Sequence, residues 1–80
     1  MALEDARMTR DIQREVSRRY IDATRLDVRV IHGVCYFRGT ISVLRTHPEV
    51  NLEHESEIIR KIIYRHSGIK SIVWDVRVNN

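Results

Sequence analysis

Residues 28–41, VRVIHGVCYFRGTI, contain two runs of alternating apolar and polar residues separated by His32-Gly33. Such alternation is typical of half-buried β-strands, and a two-residue loop with glycine in second place favours a type I′ turn. We therefore predict a β-hairpin in which His32 and Gly33 form the turn rather than a ligand site. The predicted cross-strand pairs are Val30 with Cys35 and Val28 with Phe37 on one face, and Ile31 with Val34, Arg29 with Tyr36 and Asp27 with Arg38 on the other.

The segment before the hairpin has the periodicity of an amphipathic helix. Four apolar residues recur at intervals of four positions, which predicts a first helix over residues 4–20. These residues are Met8, Ile12, Val16 and Tyr20.

The segment after the hairpin is predicted to contain a loop, a second helix and a third strand. Residues 45–51 include the only proline and read as the loop. The second helix is expected over residues 52–66, with Asn51 as its N-cap and Gly68 as its stop. Alternation over residues 69–78 predicts the last strand.

The resulting order α-β-β-α-β predicts a single domain, residues 1–80, with its core at about residues 5–78. We expect an α+β fold of two layers, in which both amphipathic helices cover one face of a three-stranded sheet. The position of the third strand at either edge of the hairpin stays open at this point.

Two surfaces are candidates for binding. On the first helix, Arg7, Arg10, Arg14 and Arg18 span only about 80° of the helical circumference. This arginine stripe is either a solvated face with ion pairs to Asp11 and Glu15, or a surface that contacts phosphates.

On the uncovered sheet face, four residues form an apolar patch typical of a partner interface. We call them the open-face patch: Ile31, Val34, Tyr36 and Val73.

The composition is that of a small globular domain with a net charge of +3, 42% apolar and 31% charged residues. No apolar run approaches the length of a membrane span, and the stretch MALEDARMTRDIQRE lacks the apolar segment typical of a signal peptide. We expect a cytoplasmic protein, or a periplasmic one if the native chain is longer. The positive charge favours anionic partners such as phospholipid head groups or nucleic acid, and it is equally the ordinary charge of a small soluble domain.

Residue chemistry does not favour an enzyme. The chain lacks nucleotide-binding, zinc-protease and nucleophile-elbow motifs, and Cys35 is predicted to point inward. His47 and His54 match no recognised zinc spacing, so we expect no metal site and no cofactor. Nucleic acid ranks third among the candidate partners because a G-x-x-G backbone clamp and exposed base-stacking aromatics are missing. The arginines would contact its phosphates without sequence preference.

The hairpin and the segment 68–78, GIKSIVWDVRV, resemble those of the BON domain family (bacterial OsmY and nodulation domain). The resemblance spans about residues 11–78 and includes the same α-β-β-α-β order. The residues at matching positions are Gly33, Cys35, Phe37, Gly39, Ile41, Gly68, Ile69, Ile72, Val76 and Val78.

This resemblance implies a non-catalytic binding module. BON domains are associated with phospholipid surfaces, often in osmotic or envelope stress, and also occur as regulatory attachments to other domains. The family pattern consists of structural glycines and core residues, so it transfers no site residue. We therefore expect association with anionic phospholipid through the arginine stripe, or else protein interaction or self-association through the open-face patch.

Overall fold

The computed structural model describes residues 3–79, which form two helices and three strands in the order α-β-β-α-β. The central strand of the sheet is antiparallel to the first strand and parallel to the third. The predicted α+β class is confirmed, and the third strand is found beside the second. The elements are α1 (Leu3–Ser17), β1 (Asp22–Ile31), β2 (Val34–Ser42), α2 (Leu52–Tyr64) and β3 (Ser71–Asn79).

The hairpin has the predicted register. Val30 lies opposite Cys35 and Val28 lies opposite Phe37, with the turn at the two intervening loop residues. Both loop residues have positive φ, as a type I′ turn requires: 49° at His32 and 80° at Gly33. Because side chains alternate along a strand, this register directs one apolar set toward the helices and leaves the other set on the opposite face.

The core lies between the sheet and both helices, so the helices share one face of the sheet. α1 packs over β1 and α2 packs over β3. The side chains that meet there come from all elements except β3, whose inward residues pack around the edge of the cluster. The fully buried large residues are Phe37, Ile12, Ile41, Leu52, Ile59, Ile63, Val30 and Cys35.

Trp74 joins β3 to this core from the side. Its ring lies 4.9 Å from the ring of Phe37, its neighbour in the parallel register. The guanidinium of Arg60 on α2 lies 4.9 Å above the indole, at the distance of a cation–π contact. Trp74 is half-buried, so it closes the margin of the core instead of filling its centre.

Side chains of α1 bond the free edge of β1. The Val30 N–H donates to Thr9 Oγ1 at 3.0 Å, and Gln13 Nε2 donates to the Val28 carbonyl at 3.4 Å. Backbone groups that would otherwise be unpaired at a sheet edge are thus satisfied from within the chain.

An ion pair connects the end of α1 to the start of α2. Arg19 donates to both carboxylate oxygens of Glu55, from Nε at 3.1 Å and from Nη2 at 2.7 Å. The Glu55 side chain is only 9% exposed, so this bidentate bond compensates the burial of its charge. Hydrogen bonding to Glu55 raises the pKa of Arg19.

The helix ends differ from the predictions. α1 ends at Ser17 instead of residue 20, and Tyr20 is exposed. Continued helix would place Ile21 on the same face as the arginine stripe, whereas the observed turn buries Ile21 in the core.

α2 starts as predicted, with Asn51 Oδ1 accepting from the His54 N–H at 3.1 Å, but it ends at Tyr64. Gly68, with a φ of 96°, reverses the chain after the helix and does not stop it.

We predict that Gly39→Ala destabilises the fold far more than Gly68→Ala. Both glycines have positive φ, 120° and 96°, which costs an alanine about 1–2 kcal/mol. At Gly39 an added Cβ would also overlap the backbone carbonyl of Arg25 and separate β1 from β2, whereas at Gly68 it would meet only the terminal methyl of Met8, at 3.1 Å. Urea denaturation followed by Trp74 fluorescence measures both losses, and equal losses would contradict this account.

Candidate functional site

The arginine stripe occupies the side of α1 that faces away from the core. Ile12 and Val16, on the opposite side of the helix, are buried. All four arginines of the stripe are exposed. The periodicity that buries the apolar side of α1 is therefore also what collects these cations on one outward face.

Arg18 lies just beyond the last helical residue and still continues the stripe. Its backbone N–H donates to the Glu15 carbonyl at 3.3 Å, which holds it in one further turn of chain. At 1.5 Å per residue the stripe from Arg7 to Arg18 is about 16 Å long. This length is a substantial part of the 37 Å longest dimension of the molecule.

The arginines of the stripe have no close acidic partners in the described chain. Within residues 3–79, every ion pair with an N–O separation of 4.0 Å or less involves other residues. Asp11 and Glu15 lie beside the stripe without pairing with it. The three observed pairs are Arg19 with Glu55, Arg29 with Asp27 and Arg38 with Asp75.

The open-face patch is assembled on the sheet surface opposite the helices. Ile31 is 41% exposed, Tyr36 37% and Val73 44%, while Val34 is half-buried. The register places Arg29, Tyr36 and Val73 in one row across the three strands. A depression of about 520 Å³ lies over this region, lined by Asp27, Arg29, Ile31, Tyr36, Arg38, Val73 and Asp75.

His47 and His54 have separate surroundings and share no site. His47 packs against the Tyr20 ring, with centroids 4.7 Å apart, and its Nδ1 lies 2.9 Å from Thr46 Oγ1. His54 is exposed at the start of α2. Across the described range, no three His, Cys, Asp or Glu side chains come together as a metal-binding group.

Cys35 lies in the core, as its position in the strand predicts. It has no exposed surface, and burial raises the pKa of its thiol to about 11. Because the thiolate is the nucleophilic form, this side chain behaves as a small apolar residue near neutral pH.

Comparisons of the chain with models of known protein families, with curated protein sequences and with solved structures return no match. The kinship with BON domains stays a prediction from the sequence pattern. Neither helix of residues 3–79 has the length and apolar character needed to cross a membrane.

The buried thiol makes stability depend on pH in a defined window. A folded-state pKa of about 11 lies above the ordinary value of 9.0, so the folded state favours the neutral thiol. That stabilisation is complete below pH 9.0 and is lost as the pH rises toward 11, by about 2 kcal/mol at pH 11.

We expect the difference in unfolding free energy between the wild type and Cys35→Ala to shrink by this amount from neutral pH to pH 11. Every other side chain is common to both proteins, so its contribution cancels in the difference. Chemical denaturation at each pH gives both values. A difference that stays constant with pH would contradict the assignment.

Proposed function

We propose that this domain is a non-catalytic binding module that associates with anionic phospholipid surfaces through Arg7, Arg10, Arg14 and Arg18. The observation that supports it most is the state of these side chains: all four are exposed on one face of α1, without an ion-pair partner within 4.0 Å among the described residues. Guanidinium groups in this state remain available for phosphate oxygens.

The shape of the stripe favours an extended anionic surface over a single small anion. The stripe lies along the outer side of a helix and is not gathered around a recess. The shallow depression near its N-terminal end also includes Glu4 and Asp11, whose carboxylates oppose an anion there. A surface with many phosphates can meet all four arginines together, whereas one phosphate can meet only a few.

The expected strength is moderate and depends on salt. A basic residue near an anionic membrane surface contributes about 1 kcal/mol, so four contribute about 4 kcal/mol, or roughly a thousandfold in partitioning. Exposed Asp11 at the flank of the stripe reduces this attraction. Screening shortens the reach of the interaction to about 10 Å at 0.1 M salt, so binding weakens as ionic strength rises.

The resemblance to BON domains supports the same choice of ligand, since that family is associated with phospholipid. Under this proposal the domain acts at a membrane surface, and a role in envelope or osmotic stress would follow from the family. Free nucleic acid could also meet the stripe through its phosphates, and its binding would show the same salt dependence.

A second candidate function is protein interaction through the open-face patch. The observation that favours it is the exposure of Ile31, Tyr36 and Val73 above a depression of about 520 Å³. Apolar packing of this kind would persist at high salt, which separates it from association through arginines.

We predict that the combined change Arg7→Gln, Arg10→Gln, Arg14→Gln and Arg18→Gln abolishes binding to anionic vesicles. Glutamine keeps a high helix propensity, so α1 is expected to persist while the positive charge is lost. Co-sedimentation with vesicles of phosphatidylglycerol and phosphatidylcholine, compared with phosphatidylcholine alone, measures the binding at low and at physiological salt.

A matched control removes the same charge elsewhere. Arg25, Arg45, Arg65 and Lys70 are exposed residues outside α1, and their change to glutamine also lowers the net charge from +3 by four. This control should retain most of the vesicle binding. Equal loss in both variants would show that net charge, and not the stripe, determines association; equal binding in the wild type and the stripe variant would refute the proposal.

A further inference from the structure

The two edges of the sheet differ in how well the rest of the chain protects them against pairing with another strand. At the β1 edge, Thr9 and Gln13 of α1 bond the backbone of Val30 and Val28, and the pairing register shifts between Asp22 and Arg25. Both features are typical of edges that are protected against pairing with another strand.

The β3 edge has neither kind of protection. β3 pairs with β2 in an unbroken register over nine residues, without a bulge. It contains no proline or lysine, which commonly block edge pairing. Within residues 3–79, the backbone N–H and C=O groups of β3 that point away from β2 form no hydrogen bond with another segment. It therefore presents a row of donors and acceptors suited to another strand.

We propose that β3 pairs with β3 of a second copy of this chain, antiparallel and centred on Val76, to form a continuous six-stranded sheet. The two-fold axis passes through the pair of Val76 residues. The numbers of any two facing residues therefore add to 152. Asp75 of each copy then faces Arg77 of the other, Val76 faces Val76, and Trp74 faces Val78.

Charge complementarity selects this register. Asp75 and Arg77 lie on the open face of the sheet and are both exposed, so the pairing forms two opposite-charge contacts across the new junction. A two-fold axis at Asp75 would oppose two aspartates, and an axis at Arg77 would oppose two arginines. An axis between residues is excluded because it would pair inward-facing with outward-facing side chains.

The inward side of the junction is apolar in the same register. Trp74, Val76 and Val78 are half-buried at the margin of the core, so pairing covers surface that a lone copy leaves in water. A contact between two single strands is smaller than a standard stable interface, and the dimer should therefore form in a concentration-dependent manner. The pairing does not use the arginine stripe, and of the open-face patch it includes only Val73, which would face Asn79 of the second copy. It stands independently of the proposed phospholipid binding.

Disulfide cross-linking tests the register. In a Cys35→Ala background, Val76→Cys places two thiols opposite each other, with Cα atoms about 4.5–5.5 Å apart. Val78→Cys is the matched control, because the two copies of residue 78 would be about 14 Å apart, beyond the limit of about 7 Å for a disulfide. Mild oxidation should cross-link the first variant and not the second. Equal cross-linking of both, or of neither, would overturn the proposal.

Charge reversal tests the same pairs with the native Cys35 in place. Arg77→Asp opposes two aspartates at each contact and should raise the dimer dissociation constant at least about tenfold. The double change Asp75→Arg and Arg77→Asp restores opposite charges across the junction and should restore dimerisation. Because Asp75 also pairs with Arg38 of its own chain at 4.0 Å, both variants are made in an Arg38→Gln background. Sedimentation equilibrium from micromolar to millimolar concentration measures both, with circular dichroism to verify folding.

A third variant separates edge pairing from face-to-face association. Tyr36→Glu introduces a charge at the centre of the open-face patch and should leave the edge-paired dimer intact. Dissociation of the dimer by this change would place the interface on the open face. A monomeric mass for the wild type at millimolar concentration would rule out the proposed pairing altogether.

Discussion

The positive φ angles of His32 and Gly33 are the constraint on which the rest of the structure depends. The type I′ turn that they form sets the hairpin register, and that register decides which side chains meet the helices. With Phe37 kept in the core, a slip of one residue would pair it with Arg29 in place of Val28, and so bring Arg29 into the core and expel Val28. The same turn also positions the third strand, because the Gly33 carbonyl accepts from the Lys70 N–H at 2.7 Å, next to the start of β3.

The sheet formed in this way leaves three different surfaces. α1 covers the inner face over β1 and turns the arginine stripe outward. The opposite face of the sheet remains uncovered and carries the open-face patch among charged residues. The free edge of β3 forms the third surface. Each surface has its own physical character, which is electrostatic at the stripe, apolar at the patch and backbone hydrogen bonding at the edge.

Sequence reasoning predicts most of the fold because the main determinants are local. Alternation around His32 and Gly33 gives the hairpin and its pairs, and Asn51 marks the start of α2. Strand order is not local: the alternation of residues in β3 is the same whether it pairs with β1 or with β2. The end of α1 cannot be read from the pattern because the burial of Ile21 outweighs the helical periodicity that runs on to Tyr20.

The candidate sites, like the fold, can be predicted from the sequence only where local patterns determine them. The spacing of the arginines predicts a stripe, and the strand register predicts which residues share the open face. Whether the stripe is paired with acids cannot be read from spacing, since Asp11 and Glu15 lie at suitable intervals and do not pair with it. The bond from Arg19 to Glu55 has no sequence signal, because it joins residues 36 positions apart through the tertiary fold.

The most direct test of the central claim is a residue-resolved map of the surface that meets phospholipid. Amide NMR spectra of the ¹⁵N-labelled protein would be recorded during titration with bicelles that contain phosphatidylglycerol, at constant ionic strength. The account predicts shift changes concentrated on the exposed face of α1 around Arg7, Arg10, Arg14 and Arg18, with Tyr36 and Val73 unchanged. Shift changes centred on the open face, or none at any residue, would contradict it.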